Sequence, residues 1–369
     1  MKGKKMKRYL IFGFSSQRGG VESCLMNYIS NMMGEECTFE FIVFDKIPEY
    51  LQNAPFKECK MHIIPKRTNN PVKYYNKLKQ ILRKGRYDVL WYNVCTLSDI
   101  TLLKIAKREN VPCRIVHSHN GANMGGKLVG FLHNKHKKII EKYATDFFAC
   151  SKVAAEFMFP ESLSEKGEVK IINNAINTGE YKFSKKVRAK VRDSLGLTSQ
   201  LLIGNVGRFH FQKNHKFILD IFAEVLKKKE DARLLLIGSG ELKDEFCKSA
   251  KEKKVLSNIF ILENRSDVNE LLQAMDVFLF PSLFEGLPLS LIEAQTADLP
   301  CVISDTISDE VLITDRNLVL SLKDSAERWA KEVIEKGNDG NRTDMTAVMK
   351  SHGYDIYENA KLLINYIDN

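Results

Sequence analysis

The chain has 369 residues, of which 44% are hydrophobic, and carries a formal net charge of +10 with a sequence pI near 9.0. This length and apolar content favour two domains with buried cores and exclude a disordered or collagen-like chain. The positive charge favours acidic partners such as nucleic acid, an anionic membrane surface or phosphorylated substrates, but no helix-turn-helix, zinc-finger or RNP-type aromatic pattern supports nucleic acid.

Eight cysteines are scattered singly along the chain without a C-x-x-C pair. This pattern fits reduced thiols in a cytoplasmic protein and argues against a zinc site or a disulfide framework. No apolar run approaches the roughly 20 residues that span a bilayer, so we expect no integral membrane segment. The sequence therefore predicts a cytoplasmic protein and leaves open peripheral contact with the inner face of the cell membrane.

Short apolar segments alternate with helix-length periodic segments, which is typical of an α/β protein with parallel sheets covered by helices on both faces. The predicted strands lie near residues 9–14, 39–45, 61–64, 89–93, 114–117, 147–150, 169–172, 201–206, 232–237, 259–262, 277–280, 301–304 and 318–320. A polar stretch at 173–186 interrupts the rhythm. The sequence thus predicts two doubly wound domains, 1–177 and 178–346, with ligands at the carboxyl ends of the strands, and a last helical segment in 347–369.

Gly19 and Gly20 follow the first predicted strand and precede a helical pattern over residues 21–32. A glycine pair in this position lets backbone N–H groups approach a phosphate or a sugar closely. An ordinary strand-to-helix turn has the same signature, so the pair alone does not decide between the two.

Two histidines, His117 and His119, close the predicted strand at 114–117. Strand alternation points both side chains the same way if the strand continues. A ligand-facing role and a structural role both fit this pattern, because a lone histidine is often structural.

The segment from Leu128 to Lys142 mixes lysines with apolar residues. It is either an amphipathic surface for acidic lipid headgroups or a solvated helix face. The preceding glycines nearly form a nucleotide-triphosphate loop, but Leu128 stands where that loop needs a hydroxyl for magnesium, so we reject this interpretation.

Arg208 and Lys213 follow the predicted strand at 201–206, so both should emerge at its carboxyl end. Two cations there would neutralise the charge that builds on a departing nucleoside diphosphate. The chain has no Asp-x-Asp pair to hold magnesium, and we therefore predict a leaving-group site that needs no metal. An unrelated pair of surface cations is the alternative.

Two carboxylates, Glu285 and Glu293, bracket the start of a helix predicted from about residue 288 to 297. Gly286 permits a sharp turn and Pro288 suits the first helical turn. The N–H groups at the start of this helix attract anions such as phosphate. Leu289 and Ile292 indicate a largely buried helix, in which Glu293 needs a partner.

The spacing of these carboxylates decides between two kinds of carbohydrate chemistry. Eight residues correspond to roughly 12 Å if both positions are near-helical, whereas glycosidase carboxylates lie about 5 to 9.5 Å apart. We therefore predict that Glu285 and Glu293 hold the two hydroxyl-rich ends of a sugar–diphosphate–nucleoside. The alternative is a loop charge and a solvated helix residue.

This segment resembles the E-x7-E signature of glycosyltransferase family 4 (group 1 glycosyltransferases), especially the bacterial capsule and exopolysaccharide type. The resemblance is dense from Gly204 to about Glu310. It implies the GT-B fold, in which two Rossmann-like domains face an interdomain cleft and a terminal helix returns to the first domain. It also implies that Glu285 contacts the donor sugar and Glu293 the nucleoside ribose.

The resemblance also extends to other positions. Glu285, His119, Arg208 and Lys213 are the implied catalytic residues, and His119 matches the family's histidine better than His117. The implied donor-binding residues are Gly19, Gly20, Gly207, Arg208, Lys213, Gly238, Gly240, Arg265, Asp267, Gly286, Leu287 and Glu293.

Two positions depart from the family pattern. Asn177 stands where the linker often has an aspartate, which puts any role of that acidic position in doubt. Asp298 stands where glycine usually follows the E-x7-E helix. Because aspartate tolerates the left-handed conformation better than most residues, we expect the turn to survive.

The sequence as a whole predicts a hexosyltransferase that needs no metal or other cofactor, and the family resemblance implies that it retains the anomeric configuration. Its expected donor is a UDP-sugar, and its expected acceptor is a glycan or a polyprenyl-diphosphate-linked sugar. Two rivals stay open: a nucleotide-sugar epimerase on the same fold, and a non-catalytic partner subunit.

Overall fold

The computed structural model describes residues 6–34, 37–123, 125–285 and 287–368. The chain divides into two compact units, Met1–Ala175 with Ile356–Asn369, and Ile176–Asp355. The divisions predicted from the sequence fall after Asn177 and after Thr346.

The first unit is built on a parallel sheet. Its strands are β1 (Lys7–Phe12), β2 (Cys37–Phe44), β3 (Lys60–Ile64), β4 (Val89–Val94), β5 (Cys113–Ser118), β6 (Asp146–Ala149) and β7 (Val169–Ile171). Their order across the sheet is β3-β2-β1-β4-β5-β6-β7, and every pairing is parallel. The order reverses between β1 and β4, as in a doubly wound Rossmann-like sheet.

Helices connect these strands. They are α1 (Gly20–Met32), α2 (Pro71–Gly85), α3 (Thr101–Arg108), α4 (Gly126–Lys137), α5 (Lys152–Met158) and α6 (Glu161–Glu165). The last helix of the chain, Ile356–Asp368, belongs to this unit as well. Its residues Ile356, Ala360 and Leu363 are buried in the same core as Tyr28 of α1, and Asn359 Nδ2 donates to Tyr28 Oη at 3.2 Å.

The second unit has the strands β8 (Leu202–Val206), β9 (Arg233–Ile237), β10 (Ile259–Leu262), β11 (Val277–Phe280), β12 (Cys301–Ser304) and β13 (Asn317–Leu320). They form a parallel six-stranded sheet in the order β10-β9-β8-β11-β12-β13. The order reverses between β8 and β11, where ligands of doubly wound sheets bind.

The helices of the second unit are α7 (Thr178–Tyr181), α8 (Lys185–Ser194), α9 (His215–Leu226), α10 (Lys243–Glu252), α11 (Val268–Ala274), α12 (Leu289–Thr296), α13 (Ala326–Gly337) and α14 (Thr346–Ser351). The terminal helix of the first unit is α15. Trp329 of α13 and Phe222 of α9 are fully buried in the core of the second unit. All thirteen predicted strands are present, and their ends differ from the predicted ones by two residues or fewer.

The strand β1 shows why one strand end was misplaced. The prediction extended it to Phe14, but it ends at Phe12. Gly13 has φ of +141°, and a Cβ there would lie 2.7 Å from Asn93 Cβ. Only glycine allows the chain to turn this close to the end of β4, so the extended stretch stops there.

The pKa of a buried histidine makes the stability of the second unit depend on pH. His215 begins α9, is only 5% exposed and stacks on Phe209 with ring centroids 4.2 Å apart. Burial, helped by the nearby charge of Lys213, lowers the pKa of His215 from 6.5 to about 4. At these pH values the folded state therefore binds fewer protons than the unfolded state. The free energy of unfolding is fully retained above pH 6.5, where His215 is neutral in both states, and it decreases as the pH falls towards 4.

We expect acid to reduce the advantage of the wild type over His215→Phe, which keeps a stacking ring but cannot bind a proton. Between about pH 7.5 and pH 5, the difference in unfolding free energy between the two proteins should shift by about 2 kcal/mol. Urea unfolding at both pH values measures this shift. Parallel pH curves for the two proteins would show that His215 is not held neutral by the fold.

Within the described residues, no helix has both the length and the apolar character that crossing a bilayer requires.

Candidate functional site

The carboxyl edge of the second sheet is formed by loops that hydrogen bond to one another. Gly207 N donates to Ile237 O, and Gly238 N donates to Leu262 O, each at 2.9 Å. These bonds continue the pairing of β8 with β9 and of β9 with β10 past the strand ends. Phe209 N also donates to Ser239 O at 2.9 Å. The loops that carry Gly207 and Gly238 therefore form one surface.

The predicted glycines pack these loops together. Gly238 has φ of +151°, and a Cβ there would lie 2.1 Å from Gly207 O; Gly240 has φ of +155°, and its Cβ would lie 2.4 Å from Phe209 O. Neither position accepts a side chain, because the obstacle is backbone. A Cβ on Gly207 would meet Lys213 Cε at 2.7 Å, so the side chain of Lys213 lies directly across Gly207.

Lys213 and Glu285 form an ion pair at this edge. The short 3₁₀ helix Phe211–Lys213 follows β8, and Glu285 follows β11, the neighbour of β8 in the sheet. Lys213 Nζ lies 2.8 Å from Glu285 Oε1, and the two side chains are only 14% and 11% exposed. The structure thus joins the residue predicted to meet the diphosphate with the residue predicted to meet the donor sugar.

Two further contacts hold this pair. Gln212 Nε2 donates to Glu285 Oε2 at 3.1 Å and to Phe284 O at 2.8 Å. Lys213 Nζ lies 4.7 Å from the centroid of the Phe280 ring, a cation–π distance. An ammonium group has three donors, so Lys213 keeps hydrogen-bonding capacity beyond its contact with Glu285. Contact of Lys213 with a donor phosphate stays a prediction.

Arg208 is exposed at the same edge. Its neighbour His210 is partly buried, and its Nε2 lies 3.7 Å from Glu241 Oε1. Burial and, secondly, the positive charge of Arg208 lower the pKa of His210. Arg208 thus presents an exposed cation, whereas the cation of Lys213 is mostly buried, and His210 is held towards its neutral form.

Glu293 has a partner that sequence reasoning missed. It lies on α12, whose residues Leu291 and Ile292 are fully buried, so the predicted buried helix is confirmed. Tyr181, at the end of α7, donates its hydroxyl to Glu293 Oε1 at 2.8 Å. The predicted need for a partner is therefore met by a tyrosine 112 residues away in the sequence, although Glu293 itself is only partly buried.

The turn after α12 survives as predicted. Asp298 has φ of +51°, in the left-handed region, and its carboxylate is buried. The carboxylate accepts a hydrogen bond from the Thr343 hydroxyl at 3.1 Å and pairs with Arg316 at 3.2 Å. Aspartate thus adopts the glycine-like conformation and adds polar contacts that glycine lacks.

The structure also describes three further predicted donor-binding residues, Arg265, Asp267 and Leu287. Arg265 Nε donates to Asp267 Oδ1 at 2.7 Å on the surface, and this hydrogen bond lowers the pKa of Asp267. Leu287 is buried. Gly286 lies outside the described residues. The roles of these four residues in donor binding stay predictions.

In the first unit, the two histidines are held neutral after β5. Trp91 Nε1 donates to His117 Nδ1 at 3.3 Å, so His117 carries its proton on Nε2. Asn93 Nδ2 donates to Trp91 O, which leaves Asn93 Oδ1 to accept from His119 Nε2 at 2.9 Å. Burial lowers the pKa of His119 to about 3 and that of His117 well below 6.5. Each ring is thus fixed in one neutral tautomer.

His119 meets the conditions for a ligand-orienting group better than His117. His117 is fully buried, whereas His119 is partly exposed. Within the part of the chain that the structure describes, His119 Nδ1 has no hydrogen-bond partner. Because Nε2 carries the proton, this buried Nδ1 is an unsatisfied acceptor. Its use by a substrate hydroxyl stays a prediction.

The glycine pair before α1 is engaged by a carboxylate. Glu22 accepts hydrogen bonds from Gly19 N at 2.9 Å and from Ser15 N at 3.1 Å, and it is only 6% exposed. A phosphate at Gly19 must therefore compete with Glu22. A Cβ on Gly20 would meet no heavy atom within 4 Å, so space is open beside this residue. Phosphate binding by the pair stays a prediction.

The described residues contain no group of three or more His, Cys, Asp or Glu side chains that is arranged to hold a metal ion. Independence from metals stays a prediction from the sequence.

The two doubly wound parallel sheets are those of the GT-B fold. HepE of Anabaena, solved in complex with UDP, superposes with a TM-score of 0.77 at 14% identity and covers 98% of this chain and 100% of its own. Residues 187–351 match the family model described as Glycosyl transferases group 1. This match lies within the second unit and confirms there the predicted resemblance to the group 1 glycosyltransferases, and the narrower assignment to family 4 stays a prediction.

Curated relatives agree with this assignment. EpsF of Bacillus subtilis (strain 168), which carries the name of a glycosyltransferase, is 28% identical over 375 residues, 97% of this chain and 96% of EpsF. The UDP-Gal:alpha-D-GlcNAc-diphosphoundecaprenol alpha-1,3-galactosyltransferase of Escherichia coli is 28% identical over 254 residues, 64% of this chain and 62% of that enzyme.

Proposed function

We propose that this chain is a retaining hexosyltransferase that moves a sugar from a UDP-sugar to a lipid-linked or glycan acceptor in bacterial cell-surface polysaccharide synthesis. The observation that carries the proposal is the mostly buried Lys213–Glu285 pair at the carboxyl edge of the second sheet. A cation and a carboxylate side by side match a donor whose diphosphate is anionic and whose sugar offers hydroxyl donors.

The relatives support the substrate class. The E. coli relative is named for a UDP-galactose donor and a diphosphoundecaprenol-linked acceptor, and HepE was solved with UDP. The net charge of +10 suits acidic substrates of this kind. We extend these substrate classes to the present chain and place the reaction in the cytoplasm, where nucleotide sugars are the expected donors.

The proposed chemistry follows from the charges. Lys213 and Arg208 stabilise the negative charge that grows on the diphosphate as the bond from the sugar C1 to the phosphate oxygen breaks. The acceptor oxygen bonds to C1 on the same face, and its proton passes to the departing phosphate oxygen. Glu285 accepts hydrogen bonds from the donor sugar, and neutral His119 orients a hydroxyl through Nδ1. This route uses no metal.

Acceptor-dependent release of UDP tests the proposal. A panel of UDP-sugars is incubated with the protein, with and without an undecaprenyl-diphosphate-linked acceptor, and the product anomer is read by NMR. We expect UDP release only with acceptor and retention at C1. Sugar isomers formed without acceptor would indicate an epimerase, and the absence of any thermal shift with UDP would indicate a non-catalytic partner subunit.

Glu293→Gln should weaken UDP binding by about 10- to 100-fold, because a charge-assisted hydrogen bond to the ribose is worth about 1.5–3 kcal/mol. Isothermal titration with UDP measures this change. Tyr181→Phe is the matched control, since it removes only the hydroxyl that orients Glu293 and should cost less than 10-fold. Wild-type affinity in Glu293→Gln would remove Glu293 from the nucleotide site.

A further inference from the structure

The helix α4 presents an unusual surface in the first unit. Leu128 is 71% exposed and Phe131 is 66% exposed. Lys127, Lys135 and Lys138 are exposed as well, and these five residues are here called the α4 face. At 3.6 residues per turn they fall within roughly 100° of the helix circumference. The α4 face is thus one continuous strip that combines two large apolar side chains with three ammonium groups.

The opposite side of α4 is firmly attached to the first unit. His133 Nδ1 accepts from Leu97 N and His133 Nε2 donates to Phe157 O, both at 3.1 Å. The ring of His133 also stacks on Phe157 with centroids 4.3 Å apart. Lys137 Nζ donates to Glu156 O at 2.6 Å. These contacts fix the rotation of the helix, so the outward direction of the α4 face is set by the fold.

Exposure of these two apolar side chains is costly unless something covers them. Burying a leucine or phenylalanine side chain strengthens an association by about 10- to 150-fold. On α4 such side chains lie next to lysines, and the described helix has no acidic residue to pair with them. An apolar strip with only positive charges matches a surface that is apolar inside and anionic outside.

We propose that the α4 face docks this protein on an anionic lipid bilayer. Leu128 and Phe131 enter the boundary between headgroups and acyl chains, and Lys127, Lys135 and Lys138 contact the headgroup phosphates. The docking goes beyond sugar transfer, and of the two alternatives that the sequence left open it takes the lipid-binding surface over the solvated face.

The position of α4 gives the docking a use that rests on the proposed function. The helix follows β5 and the loop that begins with His119, so it lies in the same unit as the proposed acceptor-orienting histidine. A polyprenyl-linked acceptor is held in the bilayer by its lipid. Docking through α4 would keep the first unit beside the surface where that acceptor resides.

Vesicle partitioning tests the lysines. The protein is mixed with vesicles of phosphatidylcholine alone or with about one-third phosphatidylglycerol, and bound protein is separated by flotation. We expect binding only to the anionic vesicles. The triple variant Lys127→Gln, Lys135→Gln, Lys138→Gln should lower the partition coefficient on the order of 100-fold, about five-fold per lysine.

A matched triple variant controls for net charge. Lys216→Gln, Lys248→Gln, Lys251→Gln removes the same charge from exposed sites of the second unit and should stay within about three-fold of wild type. An equal loss in both triple variants would overturn the α4 assignment, because it would show general attraction. Equal binding to neutral and anionic vesicles would overturn the proposal as well.

Insertion of the apolar residues has its own readout. The chain has two tryptophans, Trp91 and Trp329, and both are fully buried. In Phe131→Trp, the added tryptophan is expected to shift its emission to the blue on anionic vesicles. Leu128→Gln with Phe131→Gln should weaken partitioning more than 10-fold. The lack of a shift, or a dimer in solution that this double variant abolishes, would contradict docking on lipid.

Transfer to a water-soluble acceptor analogue separates this proposal from the proposed function. None of the substituted residues is assigned to the site, so the α4 variants should retain UDP binding and transfer in solution. A protein that binds vesicles through α4 but transfers no sugar would keep the docking and refute the proposed function. A protein that transfers sugar fully but does not bind vesicles would keep the proposed function and refute the docking.

Discussion

Glu285→Gln is expected to lower acceptor-dependent UDP release by about 10³-fold or more while UDP still binds. The substitution keeps the size of the side chain but removes the charge that receives hydrogen bonds from the donor sugar. It also leaves Lys213 without its ion-pair partner at 2.8 Å. A bound diphosphate then supplies the missing negative charge, so the affinity for UDP should be equal to or higher than that of wild type.

Kinetics of UDP release and calorimetry with UDP measure the two halves of this result. Glu241→Gln is the matched control, because Glu241 lies in the loop after β9 on the same edge but has a side chain that is 60% exposed. It should change neither quantity by more than about three-fold. Full turnover in Glu285→Gln would refute the assigned role of this carboxylate.

Lys213→Met should have the second largest effect and should act on both binding and transfer. Methionine keeps an unbranched side chain that fits across Gly207 and against Phe280 but cannot neutralise a phosphate. We expect UDP affinity to fall by 10-fold or more and kcat/KM by about 10²- to 10³-fold, because a buried cation stabilises the leaving diphosphate.

Lys216→Met provides the control for Lys213→Met, since Lys216 is exposed one turn further along the chain. The double variant Glu285→Gln, Lys213→Met should be clearly non-additive, because the two side chains contact each other. Additive losses, or unchanged UDP affinity in Lys213→Met, would show that the pair does not act as a unit on the donor.

The strands were predictable because their signal is local. Segments such as Val277–Phe280 are apolar throughout, as expected of parallel strands buried on both faces. The positions of Lys213 and Glu285 were predictable too, because the two residues follow two neighbouring strands of one sheet. The prediction that both lie at a carboxyl edge needs only the alternation of strands and helices.

The partners within the site were not predictable in the same way. Gln212 contacts Glu285 across 73 residues of sequence and Tyr181 contacts Glu293 across 112. Nothing in the local pattern distinguishes these side chains from others nearby, since the pairing depends on how whole elements pack. The direct contact of Lys213 with Glu285 was missed for the same reason.

One missed contact did leave a signal in the sequence. Glu22 stands three residues after Gly19, the spacing at which a glutamate on the first helical turn reaches back to the N-cap N–H. The structure shows this bond at 2.9 Å. The glycine pair could therefore have been read as the start of a capped helix as well as a ligand loop.

A crystal structure of the protein with a bound UDP-sugar would show whether the Lys213–Glu285 pair holds the donor. We expect Lys213 Nζ to lie within about 3 Å of a diphosphate oxygen and a carboxylate oxygen of Glu285 to lie within about 3 Å of a donor-sugar hydroxyl. A diphosphate bound away from the carboxyl edge of the second sheet, with the Lys213–Glu285 pair undisturbed, would contradict this expectation.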